Sequence, residues 1–217
     1  MGPSSINGPP ASKTAYALER LRQEIADGVI RPGESLRQAD IAKRFGISPT
    51  PVREALRLLE AEGSISYAPH RGATVAELTD ERVHDLYLLR ASTEGLATRL
   101  AAQRRSDEQQ REIQKMHEEL SAAARVPGTD HQQLAAWNRE LHMLICSAGS
   151  ALITSHVMSL WRMFPTRSTM WKEPELVNCF LEQHDDIVAA VADGDADAAY
   201  ALMSNHIMTA AEQRLRQ

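Results

Sequence analysis

A mainly α-helical protein is predicted, with an N-terminal winged helix-turn-helix and a C-terminal antiparallel all-α bundle. Three observations predict it. Ala and Leu are abundant, aromatic residues are only 5% and β-branched runs are scarce, a composition that favours helix. In the first third, two short helical stretches meet at a Gly-containing turn and are followed by two short alternating segments. From Thr79 onward, long helical stretches are separated only by short breaks. A chain of 217 residues, 43% hydrophobic and 24% charged, suits one or two globular domains with a real core. No run approaches the roughly 18 apolar residues that a membrane span needs.

The first residues, MGPSSINGPPAS, have neither a positive start nor an apolar stretch, so no secretory signal is expected. Ile6 stands where a myristoylation pattern needs Ser or Thr. Cys146 and Cys179 have no close spacing, which argues against a disulfide framework and for a cytoplasmic protein. The net charge of −5 taken alone argues against nucleic acid. The sum hides an asymmetry: residues 1–78 carry 10 Lys and Arg against 9 Asp and Glu, and residues 79–217 carry 14 against 20. Composition therefore permits a DNA-binding head without requiring one.

Residues 1–11, rich in Gly, Pro and Ser, read as disordered, 12–78 as the head and 79–217 as the bundle. Ser12 can cap a helix running to Asp27, with Leu18, Leu21 and Ile25 on one face and Gly28 ending it. Arg31–Ser35 (RPGES) reads as a turn. A short helix over Gln38–Phe45 directs Ile41, Ala42 and Phe45 inward and ends at Gly46. Ser48 is placed to cap the next helix, where Pro49 and Pro51 fall in the first turn and lose no hydrogen bond. Val52, Leu56 and Leu59 form its apolar stripe, Arg53 and Arg57 lie on another face, and Gly63 stops it. The segments SISY and ATVA, joined by APHRG, read as a hairpin, or wing.

The stretch PGESLRQADIAKRFGISPTPVREALRLLEAEGSI, continued by HRGATV, resembles the winged-helix head of the GntR family of bacterial transcriptional regulators; Thr50–Gly63 is its most specific part. The resemblance implies that Arg37, Ser48, Thr50 and Arg53 face DNA and that the wing around His70, Arg71 and Gly72 reaches the minor groove. Family members usually carry Arg between the Ser and Thr of this motif. Pro49 stands there instead, removing a base contact worth about 1–3 kcal/mol of discrimination.

In the remainder, helices are expected over 80–104, 107–125, 130–148, 151–170, 174–193 and 195–215. Trp161 falls on the fourth of these and Trp171 at its very end, and both read as core or interface residues. Three apolar stripes are interrupted by polar residues: Leu134, Asn138, His142, Ile145; then Leu176, Phe180, His184, Ile187, Val191; then Ala199, Leu202, His206, Ala210. Three helices thus each direct a His into the bundle. A lone inward His is usually a hydrogen-bonded core residue, but three need three partners, and one bound metal satisfies them together. Cys146, one turn past His142 on the same face, reads as a small buried thiol, with a soft metal ligand as the alternative. His70, His84, His117, His131 and His156 read as surface or incidental, His70 being on the wing.

WNRELHMLICSAGS and EQHDDIVAAVADGDADAAYALMSNHI resemble the FCD domain, the effector domain of the FadR subfamily, in its six-helix, VanR-like variant. The resemblance implies a metal site of Asn138, His142, His184 and His206. Many relatives have Asp at the first position, so Asn138 implies a weaker ligand and one negative charge fewer. Three imidazoles and an oxygen suit Zn, Ni, Mn or Fe(II). Arg90 and Glu94 form either a simple ion pair on a helix face or a family element in which Arg90 faces the effector.

The expected function is therefore a metabolite-responsive repressor. It would bind operator DNA as a homodimer and hold a divalent metal and a small organic acid in the bundle. A metal-dependent hydrolase built on the three His is the alternative. It finds no HExxH motif, no two-metal carboxylate cluster and no positioned Glu base. A helical scaffold with a vestigial head is the third reading. The TPVREAL helix with its wing favours the regulator.

Overall fold

In the computed structural model, which describes residues 12–26, 28–68, 72–77, 79–163 and 169–216, the chain divides into two compact units between Glu77 and Leu78. Among the described residues, no helix is long and apolar enough to cross a membrane.

The first unit contains helices α1 (Lys13–Ala26), α2 (Gln38–Phe45) and α3 (Pro49–Ala61) and strands β1 (Ser35–Leu36), β2 (Ile65–Ala68) and β3 (Gly72–Val75). Ser12 Oγ accepts from the Thr14 amide at the start of α1. Gly46, at φ 66°, ends α2 in the left-handed region, where a glycine carries no steric penalty. The anticipated inward residues Ile41, Ala42, Phe45, Val52, Leu56 and Leu59 all enter one core with Leu21, Ile30 and Val75. The hairpin is antiparallel, with Ile65 opposite Val75 and Tyr67 opposite Ala73. The expectation of a plain turn at Arg31–Ser35 needs correcting at its end. Ser35 and Leu36 pair with Thr74 and Ala73, giving a three-stranded sheet in the order β1-β3-β2. Leu36 is 5% exposed, and burying it carries its backbone to the edge of β3, which satisfies the peptide groups.

The second unit contains α4 (Asp80–Arg104), α5 (Asp107–Ala124), α6 (His131–Gly149), α7 (Ala151–Arg162), α8 (Pro174–Asp193) and α9 (Ala196–Leu215). Side-chain caps explain where several begin. Thr79 accepts from the Arg82 amide, and Ser150 from that of Ile153. Ser106 and Gln109 form a reciprocal capping box. One expectation fails here. The helix expected over 151–170 stops at Arg162, and Thr169–Lys172 form a 3-10 turn that buries Trp171. Pro165 follows closely in the sequence, and a proline disfavours helix at the residue before it.

Helix α4 lies at the centre, packed against α6, α7, α8 and α9. Two glycines permit this. A Cβ on Gly95 would run into Ser204 Oγ and the Tyr200 ring of α9, and one on Gly149 into the Ala97 carbonyl of α4. Ser204 Oγ donates to the Ala91 carbonyl at 3.0 Å, tying α9 to α4. The core between these helices contains Leu141, Ile145, Ile187, Met203 and Ile207, all at most 1% exposed. The three inward histidines sit among these residues.

Candidate metal centre

His142 on α6, His184 on α8 and His206 on α9 are 1%, 1% and 5% exposed. Each occupies an apolar stripe, beside Leu141 and Ile145, Phe180 and Ile187, and Met203 and Ile207 respectively. Their candidate ligand atoms all lie within 4.8 Å of one another. The rings of His184 and His206 are 4.5 Å apart between centroids, and that of His142 is 5.6 and 5.2 Å from them.

Hydrogen bonds fix the direction of two rings. His142 Nδ1 lies 2.7 Å from Glu94 Oε2. An ionised carboxylate only accepts, so Nδ1 donates and Nε2 is the ring nitrogen left for another partner. His206 Nδ1 donates to Gln183 Oε1 at 2.8 Å, which leaves its Nε2 lone pair 3.2 Å from His184 Nε2. Burial, then the neighbouring His206, His142 and His117, push the His184 pKa well below its ordinary value. Burial, then His142 and Arg90, do the same to His206. Both rings are therefore neutral and able to donate electron pairs.

Glu94 on α4 connects the cluster to a second group of side chains. Fully buried, it accepts from Arg90 Nε at 2.7 Å and Trp161 Nε1 at 3.0 Å as well as from His142. Burial alone would raise its pKa. The charge of Arg90, followed by the hydrogen bond from His142, outweighs burial and holds it at about 2. The Arg90 guanidinium lies 3.8 Å from the Trp161 ring centroid, and the Trp161 ring meets His142 at 5.5 Å. Arg90 and Glu94 are thus a buried ion pair one hydrogen bond from the histidines. Sequence reasoning noted the pair but not its connection to His142, which depends on how α4 and α6 cross.

Among the described residues, buried atoms without a hydrogen-bond partner include His142 Nε2 and Asn138 Oδ1, one helical turn apart on α6, and His184 Nδ1 on α8. A buried polar atom left unpaired is costly. Three imidazoles and an orphaned carbonyl oxygen form a donor set that fits a divalent transition metal.

The surface reading holds for His84, His131 and His156, all exposed; His70 lies outside the described residues. It fails for His117. This residue is 3% exposed on α5, its Nε2 is 2.6 Å from Asp185 Oδ1, and its ring meets His184 edge-on at 6.1 Å. The signal was available, because Ile113, Met116, His117 and Leu120 form one helical face and are all buried. Cys146 is fully buried with Ala97 and Val157, and burial raises its thiol pKa well above the usual range.

In the first unit, Arg37 precedes α2, while Ser48, Thr50 and Arg53 occupy the start of α3, and all four are exposed. The Ser48 hydroxyl makes no cap hydrogen bond. Arg53 approaches Glu54 at 3.7 Å with half of its side chain exposed. Gly72 opens β3 at φ 72°, and Arg71 lies outside the described residues.

The family model of the FCD domain matches residues 85–209, and that of the bacterial regulatory proteins of the gntR family matches residues 13–75. The HTH-type transcriptional regulator YdhC of Bacillus subtilis (strain 168) is 32% identical over 135 residues, 61% of this chain and 60% of that protein. The HTH-type transcriptional repressor RspR of Escherichia coli (strain K12) is 27% identical over 216 residues, 96% of this chain and 91% of that protein. The solved structure of McbR/YncC from E. coli superposes with a TM-score of 0.74 over 94% of this chain and 99% of its own, at 23% identity. That likeness supports the fold: a helix-turn-helix head followed by a helical FCD domain.

Proposed function

Because the chain belongs to the FCD family and carries a gntR-family DNA-binding head, we propose that this DNA-binding transcriptional regulator is a cytoplasmic, metabolite-responsive repressor with a metal-assisted effector site. The carrying observation is the convergence of His142, His184 and His206, all buried and with ligand atoms within 4.8 Å of one another. An enzymatic role is set aside, since the relatives are transcriptional regulators.

The head spans 12–78 and the effector unit 79–217. His142, His184 and His206 hold one divalent ion, with Asn138 as a weaker fourth ligand. Bound there, a Zn, Ni, Mn or Fe(II) ion supplies a positive charge with open coordination positions that anchor a carboxylate oxygen. Arg90 is the second anchor for a small organic acid. Arg37, Ser48, Thr50 and Arg53 face the DNA, and the wing around His70, Arg71 and Gly72 reaches the minor groove. The chain acts as a homodimer on a short pseudo-palindrome, because one recognition helix reads too few bases for useful specificity. Ligand alters DNA affinity only by favouring one relative placement of the two heads.

The test starts with protein purified without chelator or His-tag, then supplied with Zn or Ni. Elemental analysis should find one ion per chain. In gel shifts with DNA from beside the gene, His184→Ala should bind DNA like wild type without effector but lose both the ion and the response. Wild-type protein with no stoichiometric metal overturns the metal reading.

A further inference from the structure

Among the described residues of the second unit, the buried carboxylate and guanidinium side chains balance. Arg90 and Glu94, 5% and 0% exposed, are its only buried Arg, Lys, Asp or Glu, and they neutralise each other at 2.7 Å. His142 and His206 each donate Nδ1–H, to Glu94 and Gln183, and keep Nε2 for the cluster. Asn138 offers a neutral carbonyl oxygen where an Asp would bring a negative charge. Asp185, next to His184 in the sequence, engages His117 from the surface with its side chain 63% exposed. A divalent ion on these ligands therefore places two positive charges in a buried site with no protein anion left to balance them. An uncompensated buried charge is strongly unfavourable, so the compensating charge has to arrive with the ligand.

We propose that the neutral Asn138 makes this pocket select a dianionic effector, a small dicarboxylate, over a monocarboxylate. This rests on the metal reading above. One carboxylate meets the ion. The other completes the charge balance on the Arg90 side of the cluster, where Arg90, Glu94 and Trp161 already interlock with His142.

The experiment uses full-length protein loaded with Zn, its metal content measured first. It compares succinate with monomethyl succinate, which differ by one charge at nearly the same length, by calorimetry at a pH where every free carboxyl is ionised. Wild type should prefer succinate by about a hundredfold, the order of effect that one unit charge has a few ångström away at a protein's effective dielectric. Asn138→Asp should retain Zn and cut that preference at least about tenfold, because the protein then supplies the missing charge. Equal binding of the two ligands by Zn-loaded wild type overturns the proposal, and that comparison needs no variant to fold. An unchanged preference in Zn-loaded Asn138→Asp overturns the role of Asn138. Absence of stoichiometric Zn in wild type overturns the metal reading and this proposal together, a result distinguishable from the other two.

Discussion

Replacing Glu94 with Gln removes the negative charge that, among the described residues, accepts from Arg90, His142 and Trp161 inside the bundle. Glu94 is fully buried and Arg90 is 5% exposed, so water cannot take over the guanidinium. Leaving a buried charge without its partner costs about 3–5 kcal/mol. The amide keeps one acceptor oxygen but turns its NH2 toward a donor, and an unmatched buried donor costs about 1–3 kcal/mol, largely the same loss counted again. The expected destabilisation is therefore about 3–5 kcal/mol. Domains of this kind have about 5–15 kcal/mol of stability, so the variant should still fold. All three tryptophans, Trp137, Trp161 and Trp171, lie in the second unit, so their emission in a urea titration follows its unfolding. The titration is run after chelator treatment, because metal binding would add its own stabilisation. Arg90→Met combined with Glu94→Leu should lose less than the sum of the two single variants, since removing both charges leaves neither unpaired, although His142 and Trp161 still lose their acceptor. A Glu94→Gln loss below about 1 kcal/mol, or a double variant as unstable as the sum of its parts, would refute the reasoning.

Acid should destabilise the metal-free second unit: folding holds His184 and His206 neutral, while the unfolded chain protonates them below their ordinary pKa of 6.5. Each adds up to about 1.4 kcal/mol of loss per pH unit below that value. Glu94 acts in the same direction at lower pH, its contribution being complete above its ordinary 4.5 and lost as the pH falls through about 2. Urea midpoints that stay level between pH 8 and 5 would contradict this. Arg53→Ala should weaken binding to all DNA sequences and reduce the salt slope by about 1 if Arg53 meets a phosphate; loosened preference at one position would instead assign it a base contact. Pro49→Arg should tighten binding to operators with G at the matching position by about 1–3 kcal/mol and leave others little changed, as read by competition gel shifts. Gly149→Ala should cost at least about 1–3 kcal/mol in the same urea titration, because its Cβ meets α4 backbone that cannot turn aside.

Local periodicity by itself determined most of the secondary structure. The 3.6-residue stripes, the caps at Ser12 and Gly46, the Ser48-Pro49 start of α3 and the short breaks after Arg104 and Asp193 specify helices within a few residues of their ends, because each signal is written into adjacent side chains. The same stripes carried His142, His184 and His206 inward, and the one-turn spacing marked Asn138 and the Arg90–Glu94 pair. His117 was legible too, on the face of Ile113, Met116 and Leu120, had that face been weighed like the others. Only the tertiary structure decided what depends on partners distant in the chain. Strand β1 is two residues long and exists because β3 lies beside it. Trp171 is buried by a 3-10 turn after α7 has ended. Glu94 becomes the junction of Arg90, His142 and Trp161 because Gly149 lets α6 approach α4 closely enough for a carboxylate on one helix to reach an imidazole on the other. Spacing along a helix tells which face a residue occupies, but which residue it meets there is set by the packing of helices far apart in sequence.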